Sequence, residues 1–163
     1  MPISLFPKTV SSWAAVLVAA AAFAPQVLAG PVEMLPGRWT GWGKMTLDGG
    51  NTERVKCVAT YFSEKGGSEL RHNLRCASTN YRIDAFAQLK VGDGRVSGEW
   101  QERTYVTGGA VSGRVKGDGI AVRIVGDQFT ASMIVDTGPC AQSMDIAPTG
   151  MGVRRIAVEL KKC

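Results

Sequence analysis

Residues 57–76, CVATYFSEKGGSELRHNLRC, hold two runs in which apolar side chains alternate with polar ones on either side of Gly66–Gly67. Period-two alternation around a glycine pair is the pattern of an antiparallel hairpin, because glycine supplies the positive φ that a tight turn needs. With Gly66 and Gly67 at the turn, Cys57 falls directly opposite Cys76. Opposed residues have Cα atoms roughly 4.5–5.5 Å apart, within disulfide range, and counting outward from the turn makes this the wider, hydrogen-bonded kind of pair. The expected role is a structural staple worth about 3 kcal/mol. A redox pair would call for a C-x-x-C spacing, which is missing, and a zinc site built with His72 would have three ligand candidates where four are needed. His72 instead faces Tyr61 across the hairpin, on the side of Leu70 and Leu74, and reads as a hydrogen-bonded core or rim pair.

Outward from this hairpin the pattern repeats. Short alternating runs are separated by breaks at 48–50, 93–94, 108–109, 118–119, 126–127, 138–139 and 149–150. Ten strands are predicted, at about 37–47, 52–65, 68–78, 80–91, 95–106, 110–117, 120–125, 128–136, 141–147 and 152–162. Consecutive hairpins make an up-and-down antiparallel meander, and a meander of 8–10 strands avoids two exposed edges by closing into a barrel. The registers are consistent with one enclosed face. A turn at Asp93–Gly94 sets Val96 against Val91, Gly98 against Leu89 and Trp100 against Ala87. Turns at Asp118–Gly119 and Gly126–Asp127 set Val122 against Val115 and Phe129 against Ile124. A shared G-x-V-S-G at 94–98 and 109–113 reads as two strands that each carry an inward glycine, not as a duplicated unit.

The first residues predict export. Lys8 precedes the apolar run WAAVLVAAAAFA, which is shorter than the ~20 residues of a membrane-spanning helix and ends at Pro25. Residues 1–29 are therefore expected to be a signal helix cleaved before Gly30, leaving residues 30–163 as a single periplasmic or secreted domain without a transmembrane segment. Pro31 stands where a lipoprotein signal has its cysteine, so no lipid anchor is expected. Without Lys8 that domain has 18 Lys and Arg against 14 Asp and Glu, a mild positive balance that points to solubility and argues against nucleic-acid binding. All four cysteines lie in it, and exported chains oxidise an even set. Cys140, in a late turn, is expected near the terminal Cys163, because pairing the last two strands through a loop at 149–151 sets Leu160 opposite Cys140.

Two resemblances follow from these residues. Gly37, Arg38 and Trp39 form the G-x-W of LPGRWTGWGKM, and with the meander this resembles the calycins, the lipocalin-like superfamily of ligand-binding barrels. The resemblance implies a calycin-like barrel with Trp39 at its closed end under a basic residue from a late strand, here Arg154 or Arg155 by cation–π contact. The runs GRWTGWG, ERVKC, LRCAS and GEWQER together resemble small exported proteins of alphaproteobacteria, which implies the same compartment and fold.

The candidate ligand-binding residues are Trp39, Trp100, Glu102 and Arg154. Glu102 is expected on the inward face between Ala85 and Val115, where a carboxylate needs a partner, and Arg154 shares a face with Ile156, Val158 and Leu160 and is expected to supply it. The inward positions include Gly41, Gly43, Ala59, Ala85, Ala87, Gly98, Gly113, Gly117 and Ala131, so the barrel is either flattened or hollow. A hollow barrel would take a small apolar or amphipathic ligand. A filled one would turn attention to the outer face, where Arg38, Trp42, Lys44, Arg54, Lys56, Phe62, Arg71 and Arg75 could meet an envelope protein. No nucleophile and base fall together, no P-loop, dinucleotide, H-E-x-x-H or G-x-S-x-G motif occurs, and no cofactor or metal is expected of a chain read as a monomer.

Overall fold

The structure, a computed structural model, describes residues 30–163; the predicted signal helix at 1–29 lies outside the described residues. Ten strands run β1 Gly37–Leu47, β2 Thr52–Glu64, β3 Glu69–Ala77, β4 Arg82–Gly92, β5 Arg95–Glu102, β6 Thr107–Lys116, β7 Gly119–Gly126, β8 Thr130–Thr137, β9 Ala141–Thr149 and β10 Val153–Lys161. Each pairs antiparallel with its sequence neighbours, and β1 pairs with β10 to close the barrel. The closed up-and-down meander expected from the hairpin pattern is the observed fold. One short helix, α1 Pro31–Met34, precedes the barrel, and no helix among the described residues is long and apolar enough to cross a membrane.

The opening hairpin has the expected register, with Cys57 opposite Cys76 and Tyr61 opposite His72. The Cys57 and Cys76 sulfurs are at bonding distance, with Cα atoms 4.1 Å apart, closer than the wider pairing anticipated. Cys140 and Cys163 are also bonded, at a Cα separation of 5.2 Å. Here the pairing differs by two residues from the one anticipated: Leu160 lies opposite Gln142, and the Lys162 amide donates to the Cys140 carbonyl at 3.1 Å.

Two other turns are displaced in the same way. The β6–β7 turn is Gly117–Asp118, with Gly117 at φ 57°, so Val122 faces Gly113 and Val115 faces Ile120. Gly117 is therefore a turn residue and not an inward one. The β7–β8 loop runs from Gly126 to Phe129, so Ile124 faces Ala131. A shift of two residues keeps every side chain on its face, which is why the apolar pattern could not separate these alternatives.

At Gly41 and Gly43 a Cβ would run into the backbone carbonyls of Glu159 and Ala157 on β10. These glycines let β1 and β10 approach closely where the barrel coils, so their small size serves closure and does not open a cavity.

The two ends of the barrel differ. At one end Leu35 is buried beneath the strands, Trp39 is 0% exposed and its Nε1 donates to the Leu35 carbonyl at 2.7 Å. Lys162 lies 4.6 Å from the Trp39 ring and donates to the carbonyls of Met34 and Pro36 at 2.9 and 3.3 Å. The basic residue across the Trp is thus Lys162, just past β10, and not Arg154 or Arg155. The opposite end, where the 78–81, 103–106, 127–129 and 150–152 loops meet, is open.

Candidate functional site

Inside the barrel lies a cavity of about 530 Å³ that opens between those loops. Its wall is mostly aliphatic, with Leu70, Leu74, Ile83, Leu89, Val122 and Ile124 among the contributors. Ile83, Ala85 and Leu89 on β4 and Val122 and Ile124 on β7 all point inward and pack against the core, yet are only half-buried because they also border the cavity. The cavity lies against β4–β7, where Ala85, Ala87 and Gly98 occupy inward positions and leave space, and side chains such as Leu74, Met133 and Ile146 from β3, β8 and β9 form its opposite wall.

Trp100 and Glu102, both expected in a site, line this cavity. Trp100 pairs with Ala87 as predicted, packs edge-on against Phe129 at 5.3 Å and donates from Nε1 to the Val125 carbonyl at 3.2 Å. Glu102 is 7% exposed, opposite Ala85 on β4 as expected but opposite Thr107, not Val115, on β6. The difference arises because the β5–β6 loop is the four residues Arg103–Val106, while Gly108 and Gly109, read as a turn, lie within β6.

Glu102 builds that loop. Its Oε2 accepts the Tyr105 amide at 2.6 Å and its Oε1 accepts the Asp84 amide at 2.7 Å. Backbone N–H groups therefore satisfy the buried carboxylate that was expected to pair with Arg154. Arg154 is exposed, because β10 slips by one residue against β1 between Thr46 and Leu47 and the resulting bulge leaves Val153 as the buried side chain. Neither Arg154 nor Trp39 lines the cavity; Trp39 is packed in the closed end.

A second carboxylate fastens the neighbouring mouth loop. Glu53 accepts from the Ser78 hydroxyl at 2.6 Å and from the Asn80 side chain at 2.7 Å, and these hydrogen bonds, Ser78's foremost, hold its carboxyl below the usual range. Two apolar side chains, Tyr105 and Val106, project at the mouth from the loop that Glu102 holds, Val106 with φ 52° and 88% exposed. Positive φ is costly for a β-branched residue and marks a position fixed by its surroundings.

Deeper in the cavity, His72 stacks flat on Tyr61 with ring centroids 4.2 Å apart. The Tyr61 hydroxyl donates to Gln142 Oε1 at 3.3 Å, and Gln142 Nε2 donates to the Thr137 hydroxyl at 3.2 Å. This buried chain was not legible in the sequence. Burial raises the Tyr61 pKa and pushes that of His72 down to about 4, so the imidazole is neutral at neutral pH. The His72–Tyr61 pair is therefore a stack and not the hydrogen-bonded pair anticipated.

On the outer face the Arg54 guanidinium lies 4.1 Å from the Trp42 ring, which is 47% exposed, and Arg71 lies 4.5 Å from Phe62. The basic and aromatic residues read from the first strands are thus interleaved in space as in sequence.

No family model and no curated protein matches this chain. Among solved structures it is similar in fold to an S-type phycobiliprotein lyase, CPES, from Guillardia theta, with a TM-score of 0.56, 12% identity, and coverage of 80% of this chain and 89% of that one. At that identity the likeness concerns the barrel alone.

Proposed function

We propose that this chain is an exported, monomeric, disulfide-stapled barrel of residues 30–163 that holds a small apolar or amphipathic molecule in its interior, working in the periplasm or outside the cell. The cavity of about 530 Å³, apolar and open at one end only, carries this reading. Pockets of ~300–1,000 Å³ with aliphatic walls and a few placed polar groups are the common form of small-molecule sites. Trp100 forms part of the wall, Glu102 holds the loop at the mouth, Trp39 seals the closed end, and Arg154 stands outside near the mouth. The apolar run at 13–24 and the two cystines support export. No bond-making step is assigned to these residues.

Native mass spectrometry of protein purified from its own envelope tests the reading. A co-purifying small molecule released on unfolding is the expected result; bare protein that also binds no apolar probe would remove the proposal. A second reading, an envelope-associated module that grips a protein partner through its outer face, draws on the half-exposed Trp42 beneath Arg54. Capture of a protein partner that Trp42→Ala abolishes, with the interior empty, would favour it.

A further inference from the structure

The polar groups that border the cavity differ in what they have left to offer. Tyr61 is committed to Gln142, Trp100 to the Val125 carbonyl, and each Glu102 oxygen to a backbone amide. Asp127, Gln128, Tyr81, Tyr105 and Thr107 belong to the mouth, and none of them holds a buried unpaired polar atom. His72 is the exception. It is 8% exposed, its ring borders the cavity, and its Nε2 is the one buried side-chain polar atom without a hydrogen-bonding partner among the described residues; that nitrogen is screened by neighbouring atoms, so a ligand meets it as the ring turns about χ2. An unpaired buried polar atom costs about 1–3 kcal/mol, and a bound water or a ligand is the common way that cost is offset.

The surroundings of His72 are equally specific. It lies opposite Ala87, which in turn lies opposite Trp100, so the small β4 residue is flanked by an imidazole on one side and an indole on the other. A flat or narrow apolar group above Ala87 would touch both.

We propose that the cavity selects an uncharged, mostly apolar ligand bearing a single hydroxyl group, and that His72 forms the hydrogen bond to that group. This rests on the interior-binding reading given above. A carboxylate or phosphate head does not fit so deep, because the interior offers no positive charge and a buried anion without a partner is strongly disfavoured. The neutral imidazole has one nitrogen that accepts and one that donates, which suits a hydroxyl in either sense.

Three probes of one size separate the outcomes: naphthalene, 2-naphthol and 2-naphthoate, titrated calorimetrically at neutral pH into the full disulfide-bonded chain. The expected order is naphthol tightest, naphthalene about tenfold weaker and naphthoate weakest, tenfold being the share of one buried hydrogen bond. His72→Phe, which can still stack on Tyr61, is expected to abolish the preference, so that naphthol and naphthalene bind it equally. His72→Gln, which keeps a donor and an acceptor, is expected to retain part of the preference. Naphthalene binding by the variants also reports that they are folded.

Equal binding of naphthol and naphthalene by the natural chain would overturn the inference while the interior-binding reading stands. So would a naphthol preference that survives His72→Phe, an equal loss in Gln and Phe, or a preference for naphthoate. Failure of all three probes to bind would remove the interior-binding reading itself, and this inference with it.

Discussion

The two sides of the barrel share one inward register and are filled differently. On β1–β3 and β8–β10 the inward residues Met45, Val55, Leu74, Met144, Ile156 and Leu160 are buried in one core cluster, with Trp39 and Leu35 at the closed end, and Met45, Leu74 and Ile156 reach the cavity wall from that side. On β4–β7, Ile83, Leu89, Val122 and Ile124 are half-buried around open space, while Val96, Val111 and Ile120 are buried. Both cystines belong to the packed side, one between β2 and β3 and one tying the C-terminus to the turn before β9. The contrast teaches that dense packing and open volume are divided within one barrel: the packed side supplies buried area, and the other leaves the cavity.

The largest break in that contrast is Trp39→Ala. It removes a fully buried ring, its hydrogen bond to Leu35 and its contact with Lys162, and should cost about 3–5 kcal/mol in urea unfolding. Trp100→Ala on the hollow side should cost about 2 kcal/mol or less, because the ring already borders a void. Equal losses at the two tryptophans would erase the distinction.

Replacing Cys57 and Cys76 together by Ser should lower stability by about 3 kcal/mol, the entropy of the released loop. Reduced and oxidised protein compared by denaturant titration provide the check. A change well under 1 kcal/mol would mean that the packed side does not depend on its staple.

The pH dependence sharpens the same boundary at His72, whose pKa in the fold is about 4 because burial disfavours the imidazolium. The unfolded chain takes up a proton near pH 6.5, so between about pH 6.5 and 4 it binds more protons than the native state does. The His72 contribution should therefore lower stability as pH falls through that window, by an amount on the order of 3 kcal/mol, and level off below it. His72→Phe should remove that part of the slope. A slope unchanged in the variant would assign the acid sensitivity to other groups.

The smallest effects come from filling. Ala59, fully buried on β2, has no room for a ring, and Ala59→Phe should destabilise by about 1–3 kcal/mol. Ala87 borders the cavity, and Ala87→Phe should stay within about 1 kcal/mol of the natural chain, since the ring enters space that already exists.

Most of the barrel was legible in sequence because its turns are written in glycine and its faces in alternation. The Gly66–Gly67 turn alone placed Cys57 against Cys76 and Tyr61 against His72. Alternation cannot detect displacements by two residues, hence the shifted turns at Gly117–Asp118 and Gly126–Phe129. Nor does it announce a bulge: the slip opposite Thr46 and Leu47 turned Arg154 outward, and no residue type there signals it. Of the candidate site, Trp100 and Glu102 were found by face, whereas the partners of Glu102 are backbone amides, which look alike in any sequence. The Tyr61–Gln142–Thr137 chain joins strands far apart in sequence, and only closure of the barrel brings them together.

The central claim is that the β4–β7 side of the barrel is a binding chamber. Calorimetric titration of an apolar probe such as naphthalene into the natural chain and into Ala87→Phe tests it most directly. One saturable site per chain, lost in Ala87→Phe while that variant unfolds with near-natural stability, is the predicted result. No binding by the natural chain, or binding that Ala87→Phe leaves untouched, would contradict it.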